Sequence, residues 1–191
     1  MTANKSTTRG GARAYTLEKV WELIADGGVG AFSMRDVATT AGVSLGTVTH
    51  HFGSRERLVD EAFAALAERY STIGHVAITS SRSGSHNEAC NTLIYALHHL
   101  WGERAITLAA AELRTHAARS AAARECAESV TEICRLVVAE LHRITDRTGT
   151  PPSQVVDLLD TAAVRLAVRH QSPDNFRVAI RRHVNNVYVY A

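Results

Sequence analysis

The chain has 191 residues, enough for one large domain or two small ones, and enough to bury roughly 70% of the surface its unfolded form exposes. Hydrophobic residues make up 46% and charged residues 21%, ordinary for a soluble globular protein, and a formal charge of +2 neither demands nor excludes a nucleic-acid partner. No stretch approaches the roughly 18 consecutive apolar residues of a membrane span, and the Thr-, Ser- and Gly-rich N-terminus lacks the apolar core of a secretory signal.

Residues 1–15 carry Lys5, Arg9 and Arg13 without an acid, whereas residues 16–60 hold four basic and six acidic side chains. The early basic charge therefore reads as a flexible tail. It either follows DNA along the backbone or minor groove, or merely aids solubility.

All three prolines, Pro151, Pro152 and Pro173, lie beyond position 150, and the long proline-free segments predict helices almost throughout. Leu17, Val20, Trp21 and Ile24 recur at three and four residues and form one apolar stripe, which Asp26-Gly27-Gly28 ends. Ser33 and Asp36 have the spacing of a capping box at the start of a short helix, with Asp replacing the usual Glu or Gln. Val37, Ala38 and Ala41 give it a small inner face, and Gly42 permits a tight turn.

A second short helix is predicted from about Leu45 to His51. Gly53-Ser54 breaks it, and Ser54 can cap a longer helix reaching about Ile78. After a Ser-rich loop at 80–85, further helices are predicted at roughly 87–101, 103–116 and 119–146. A second break around Pro151-Pro152 separates these from two last helices, about 154–170 and 174–188. Val187-Tyr188-Val189-Tyr190 alternates like a strand but has no partner strand, so it reads as a fraying helix end.

Two short helices joined through Gly42 and packed on an amphipathic helix satisfy a helix-turn-helix, but they also fit an ordinary αα-hairpin. A DNA-reading second helix must be short, with small or polar groups near its N-terminus, to enter a major groove about 12 Å wide. Here Leu45, Gly46, Thr47, Thr49, His50 and His51 face outward, while Val48 and Phe52 fall four apart on the inner side.

The wording of the segment goes further than its spacing. Asp36-Val37-Ala38, Ala41-Gly42-Val43-Ser44, Gly46-Thr47, His51-Phe52 and Ser54 followed by basic Arg55 closely resemble the DNA-binding segment of the TetR family of regulators, over about 45 residues from Leu17. The rest of the chain matches that family only in length, helix count and layout.

The resemblance implies that Ser33 and Arg55 meet phosphates at two helix N-termini, where free N–H groups and the helix dipole favour an anion. It also implies that Thr47, His50 and His51 face the groove or its phosphates, and that Leu45 and Gly46 approach bases. Thr49 stands where the family usually has tyrosine, so a contact made by that ring is in doubt.

In the family, the later helices surround a small-molecule pocket. Tyr95, His98, Trp101, Leu108, Glu112 and His116 are the candidates here, against the reading that they are core aromatics and interface polars. On the last two helices, Val155, Leu159, Ala162 and Leu166, then Phe176, Ile180, Val184 and Val187, form two apolar stripes. These fit either a four-helix dimer interface, as the resemblance implies, or the core of a single chain.

The remaining signals are weak. Ten histidines invite a metal, but His98-His99 are adjacent and face different ways, and no HExxH or ExxH pair occurs, so no metal or cofactor is expected. Three widely spaced cysteines (Cys90, Cys126 and Cys134) give neither a disulfide framework nor a metal knuckle and suit a reduced cytoplasmic setting. Cys126 and Cys134 would lie about 12 Å apart along one helix, too far for a bridge. Neither a phosphate loop nor a GxSxG elbow appears, so an enzyme is not expected.

The expected architecture is all-α with about nine helices: a basic tail at 1–15, a helix-turn-helix domain at 16–60, and a ligand-binding and dimerisation domain at 61–191. The expected function is a homodimeric, sequence-specific DNA-binding repressor, released from a palindromic operator by a small-molecule effector. Two alternatives are a ligand-free repressor or architectural DNA binder, and a helical-bundle enzyme.

Overall fold

Among the residues that the computed structural model describes, 9–146, 149–170 and 172–188, the backbone forms nine α-helices and no strand, as expected. They are α1 (Arg9–Gly27), α2 (Met34–Ala41), α3 (Leu45–Phe52), α4 (Arg55–Ser81), α5 (His86–Trp101), α6 (Arg104–Ala117), α7 (Ala121–Thr145), α8 (Pro152–Arg169) and α9 (Pro173–Tyr188).

Serine sets most of the helix starts. The side chains of Ser33, Ser44, Ser54, Ser85 and Ser120 each accept a hydrogen bond from a first-turn N–H of α2, α3, α4, α5 and α7, satisfying a donor that the helix itself cannot. Ser33–Asp36 and Ser85–Glu88 are full capping boxes. Between α2 and α3 the chain reverses at Gly42, whose φ of 66° is the left-handed conformation that glycine adopts without a Cβ penalty.

One expectation changes. Residues 9–15, expected as tail, are already helix. Arg13 pairs with Glu61 at 2.6 Å and lies 5.6 Å over the Phe52 ring, and Thr16 is buried, so packing on α3 and α4 carries α1 about two turns further back. Lys5 lies outside the described residues. At the other end, the expected long helix α4 runs unbroken through position 60 and ends at Ser81, so the N-terminal unit and the rest of the chain share one rod.

Val20, Trp21, Ile24, Phe32, Val37, Val48, Phe52 and Leu58 close the core of the N-terminal three-helix unit. The Trp21 indole N–H donates to the Ala62 carbonyl at 2.8 Å and pins α1 to α4. α1 also packs along α6, so the N-terminal unit is fastened to the rest of the chain by two routes.

The heaviest packing is that of α4 on α7. Around it α5, α6, α8 and α9 complete one core that includes Leu93, Leu97, Trp101, Leu113, Val137, Leu141, Leu159 and Phe176. Of the residues expected on a dimer face, Val155, Leu159, Phe176, Ile180 and Val184 are buried within this single chain, so they fill its own core. Ala162 and Leu166 are half-buried, and the side chain of Val187 lies outside the described residues.

Candidate nucleic-acid interface

The sequence of α3 separates two faces. Val48 and Phe52, four apart, are fully buried and anchor the helix on the head. The other positions follow from that anchoring: Leu45, Gly46, Thr49 and His50 are exposed, and Thr47 and His51 half-buried.

Ser44, which sequence reasoning left without a role, organises the N-terminal turn of α3. Its Oγ accepts the Thr47 N–H at 3.0 Å and lies 2.9 Å from the Thr47 hydroxyl, which fixes the Thr47 rotamer. The spacing from Ser44 to Thr47, just before an apolar anchor, was the available signal. At Gly46 the backbone is bare, and the imidazoles of His50 and His51 meet edge to face, 5.5 Å apart. α3 holds no acidic side chain. Its outer face thus offers hydroxyl, imidazole and apolar groups of the kinds that read base edges and thymine methyls.

The two expected phosphate positions behave differently. Ser33 is exposed at the N-terminus of α2, but its N–H and hydroxyl both donate to Asp36, each at 2.8 Å. Those two bonds hold the Asp36 carboxyl below the ordinary carboxylate range. The donors left at this helix end are the first-turn N–H groups of Met34 and Arg35. Arg35, exposed on α2 and in no ion pair among the described residues, was missed by sequence reasoning. A lone cation in the first turn of α2 was its only trace.

Arg55 turns inward. Its Nε donates to the Phe32 carbonyl at 2.8 Å, a terminal nitrogen donates to the Val29 carbonyl, and the guanidinium sits 5.0 Å over the Phe32 ring. In this structure these two donors serve the protein itself. Arg57, by contrast, is exposed and paired with Glu61 at 3.1 Å.

The six residues considered for an effector pocket are dispersed. Tyr95 is 60% exposed on α5 and meets the edge of His99 at 4.3 Å. His98 is held across to α9 by Asn185 at 3.2 Å, and burial pulls its imidazole below the ordinary value. Leu108 is half-buried. Glu112 lies against Gly28 at the end of α1, and His116 lies against Phe63 of α4 at 5.6 Å, so both face the head.

Trp101 belongs to a partly buried polar junction that joins α5, α6 and α8. Its N–H donates to Asp160 at 2.7 Å, and Arg114 donates to the other carboxylate oxygen at 2.6 Å. Burial pushes the Asp160 carboxyl above its ordinary range, opposed by Arg114 and the two hydrogen bonds. Tyr70 and Cys134 lie within electrostatic reach, and burial pushes both strongly upward. Among the described residues no three His, Cys, Asp or Glu side chains gather as a metal site, and no helix is long and apolar enough to cross a membrane.

Comparison with known proteins bears most directly on the head. Residues 17–62 match the family model described as bacterial regulatory proteins, tetR family. Over 59 residues the chain is 37% identical to the HTH-type transcriptional repressor KstR2 of Rhodococcus jostii, a segment covering 31% of this chain and 29% of that one. The chain therefore spans less than a third of that curated relative.

Solved structures extend the likeness to the whole fold. A member of the TetR family from Streptomyces coelicolor superposes with a TM-score of 0.61 at 21% identity, over 93% of this chain and 98% of that one. A TetR transcription regulator from Haloarcula marismortui gives 0.59 at 15% identity, over 95% and 98%.

Proposed function

Through residues 17–62 this chain belongs to the TetR family of bacterial regulatory proteins, and from that premise we propose that it is a homodimeric repressor. It reads a palindromic operator with α3 and is released by a small-molecule effector. The observation that carries the reading is the division of α3: Val48 and Phe52 are locked in the core, while Leu45, Gly46, Thr49 and His50 stand clear of it. Ser33 and Arg35 flank the same unit at the N-terminus of α2, where backbone N–H groups suit a phosphate. Two heads related by a two-fold axis require two half-sites about one helical turn apart, or a modest extension of that.

The dimer face is the side of α8 and α9 that the single chain leaves open. Leu158, Ala162 and Leu166 recur every four residues along α8, and Leu158 is 58% exposed. On α9, Val178 is 67% exposed and borders a groove of about 510 Å³ between the two helices, with Leu166, Ala179, Arg182 and His183. A helix pair with an open apolar strip suits self-association about a two-fold axis.

Release requires that the effector prefer the conformation in which the heads fit the operator poorly. The double fastening of the head, through α4 and through α1 on α6, supports such coupling, because a shift of either helix moves α3. The engagement of Trp101 and Arg114 with Asp160 favours a second reading, a ligand-free repressor, since the indole N–H of Trp101, one of the effector candidates, is already satisfied within the chain.

The reading is tested by selecting duplexes from a random library with purified protein, alongside sedimentation. It expects a palindrome bound by a dimer. Enrichment of no sequence, or of a single unrepeated site by a monomer, defeats it. A thermal-shift screen followed by operator titration then separates the two modes of control: a hit that stabilises the protein and weakens operator binding supports release.

A further inference from the structure

The start of α4 carries a basic side chain whose partners are unusual for a DNA-facing position. Arginine presents its donors in a rigid planar fork. At Arg55 that fork meets two carbonyls of the turn between α1 and α2, those of Val29 and Phe32, and its face covers the buried Phe32 ring. Both carbonyls lie outside any helix ladder. One residue after Phe32 comes Ser33, the cap of α2, and one residue before Arg55 comes Ser54, the cap of α4. The guanidinium thus joins the two short connections that set how α2 and α3 stand against the long rod of α4.

We propose that Arg55 is a positioning residue, which clamps the first turn of α4 to the 28–33 turn and so sets the angle at which α3 is presented, and that it does not hold a phosphate. The proposal rests on the DNA-binding reading above and specifies how the head keeps its shape when α4 moves. Lysine cannot replace the clamp, because one ammonium lacks the planar fork that spans both carbonyls.

The two roles differ in what they do to specificity and to salt dependence. A phosphate contact acts on every duplex alike, and its loss reduces the slope of log K against log salt by about 0.9 per contact, or about 1.8 for a dimer. A clamp on the angle of α3 acts on base readout and leaves the slope unchanged.

Arg55→Lys and Arg55→Ala should therefore be titrated at several salt concentrations against two probes, the duplex the wild-type protein enriches from a random library and a random-sequence duplex of the same length. Circular dichroism melting checks that each variant is folded at the assay temperature. The expected result is roughly a tenfold loss on the enriched duplex for both variants, little change on the random duplex, and an unchanged slope. Several outcomes overturn the clamp: equal losses on both probes with a shallower slope, equal losses at an unchanged slope, a lysine variant that behaves like wild type, or no loss at all. A wild-type protein that enriches no duplex overturns the DNA-binding reading itself, and the clamp with it, and that result is visible before any variant is made.

Discussion

Gly74 of α4 lies so close to Ile133 of α7 that a Cβ placed on it would stand 2.3 Å from the Ile133 Cγ1. The missing side chain lets the two longest helices cross at close range, at the most heavily packed contact in the chain. In an exposed helix, glycine to alanine would gain about 1 kcal/mol. Here the clash reverses the sign: Gly74→Ala should destabilise the protein by about 1–3 kcal/mol, the usual cost of overpacking. Ile133→Ala also destabilises alone, but the double variant should be more stable than the sum of the two predicts. Denaturant unfolding of all four proteins measures this coupling, and strict additivity would show that the crossing tolerates a methyl group.

The two readings of the α8 and α9 stripes are separated by a pair of charges. Ile180 is 2% exposed within one chain, so Ile180→Asp should unfold or strongly destabilise it. Leu158, 58% exposed, should accept glutamate without loss of helix content, and if the open face of α8 is the dimer face Leu158→Glu gives a folded monomer. Light scattering beside circular dichroism decides the matter. A Leu158→Glu protein that remains dimeric places the interface elsewhere.

Acid should loosen the tie between α5 and α9. Burial, the first cause, and the nearby Arg181 and His99 hold the His98 imidazole below its ordinary 6.5, while its bond to Asn185 opposes them. The unfolded chain therefore binds the proton more readily than the folded one. The stability this group contributes is present above about pH 6.5 and is lost as pH falls below it, until the folded-state value is passed. His98→Gln should flatten this part of the stability profile between pH 7 and 5. A profile unchanged in His98→Gln would assign the acid sensitivity to other groups. Asp160 contributes in the opposite direction at lower pH, because its raised carboxyl favours the protonated form in the folded state.

Much of this was legible from the sequence wherever a local rule decides the outcome. The serines at 33 and 54, the breaks at Gly42 and Gly53, and the stripe from Leu17 to Ile24 each state their role within a few residues, and the helices follow. What the sequence left open were questions of partner. The periodicity of Val155, Leu159, Phe176 and Ile180 says that a face is buried but not against what, and here the answer is the same chain. The resemblance placed Arg55 at a DNA-facing position, but Val29 and Phe32 lie more than twenty residues away, and no spacing rule pairs them. The start of α1 was missed because residues 1–15, basic and rich in Thr, Ser and Gly, read as a tail, while the contacts of Arg13 with Glu61 and Phe52 that support a helix there come from distant sequence. The effector candidates shared composition and neighbourhood in sequence, and the helical turn then sent Tyr95 outward and Trp101 inward.

The central claim, that α3 reads bases, is tested most directly by comparing the duplexes enriched from one random library by the wild-type protein, Thr47→Ala and His50→Ala. Neither side chain is buried, so both variants should keep the fold and bind as dimers. The account predicts that the wild type enriches a palindrome, and that each substitution relaxes or changes the preference at one symmetric pair of positions, with about 1–3 kcal/mol of discrimination lost there. An identical preferred sequence from all three proteins would contradict it.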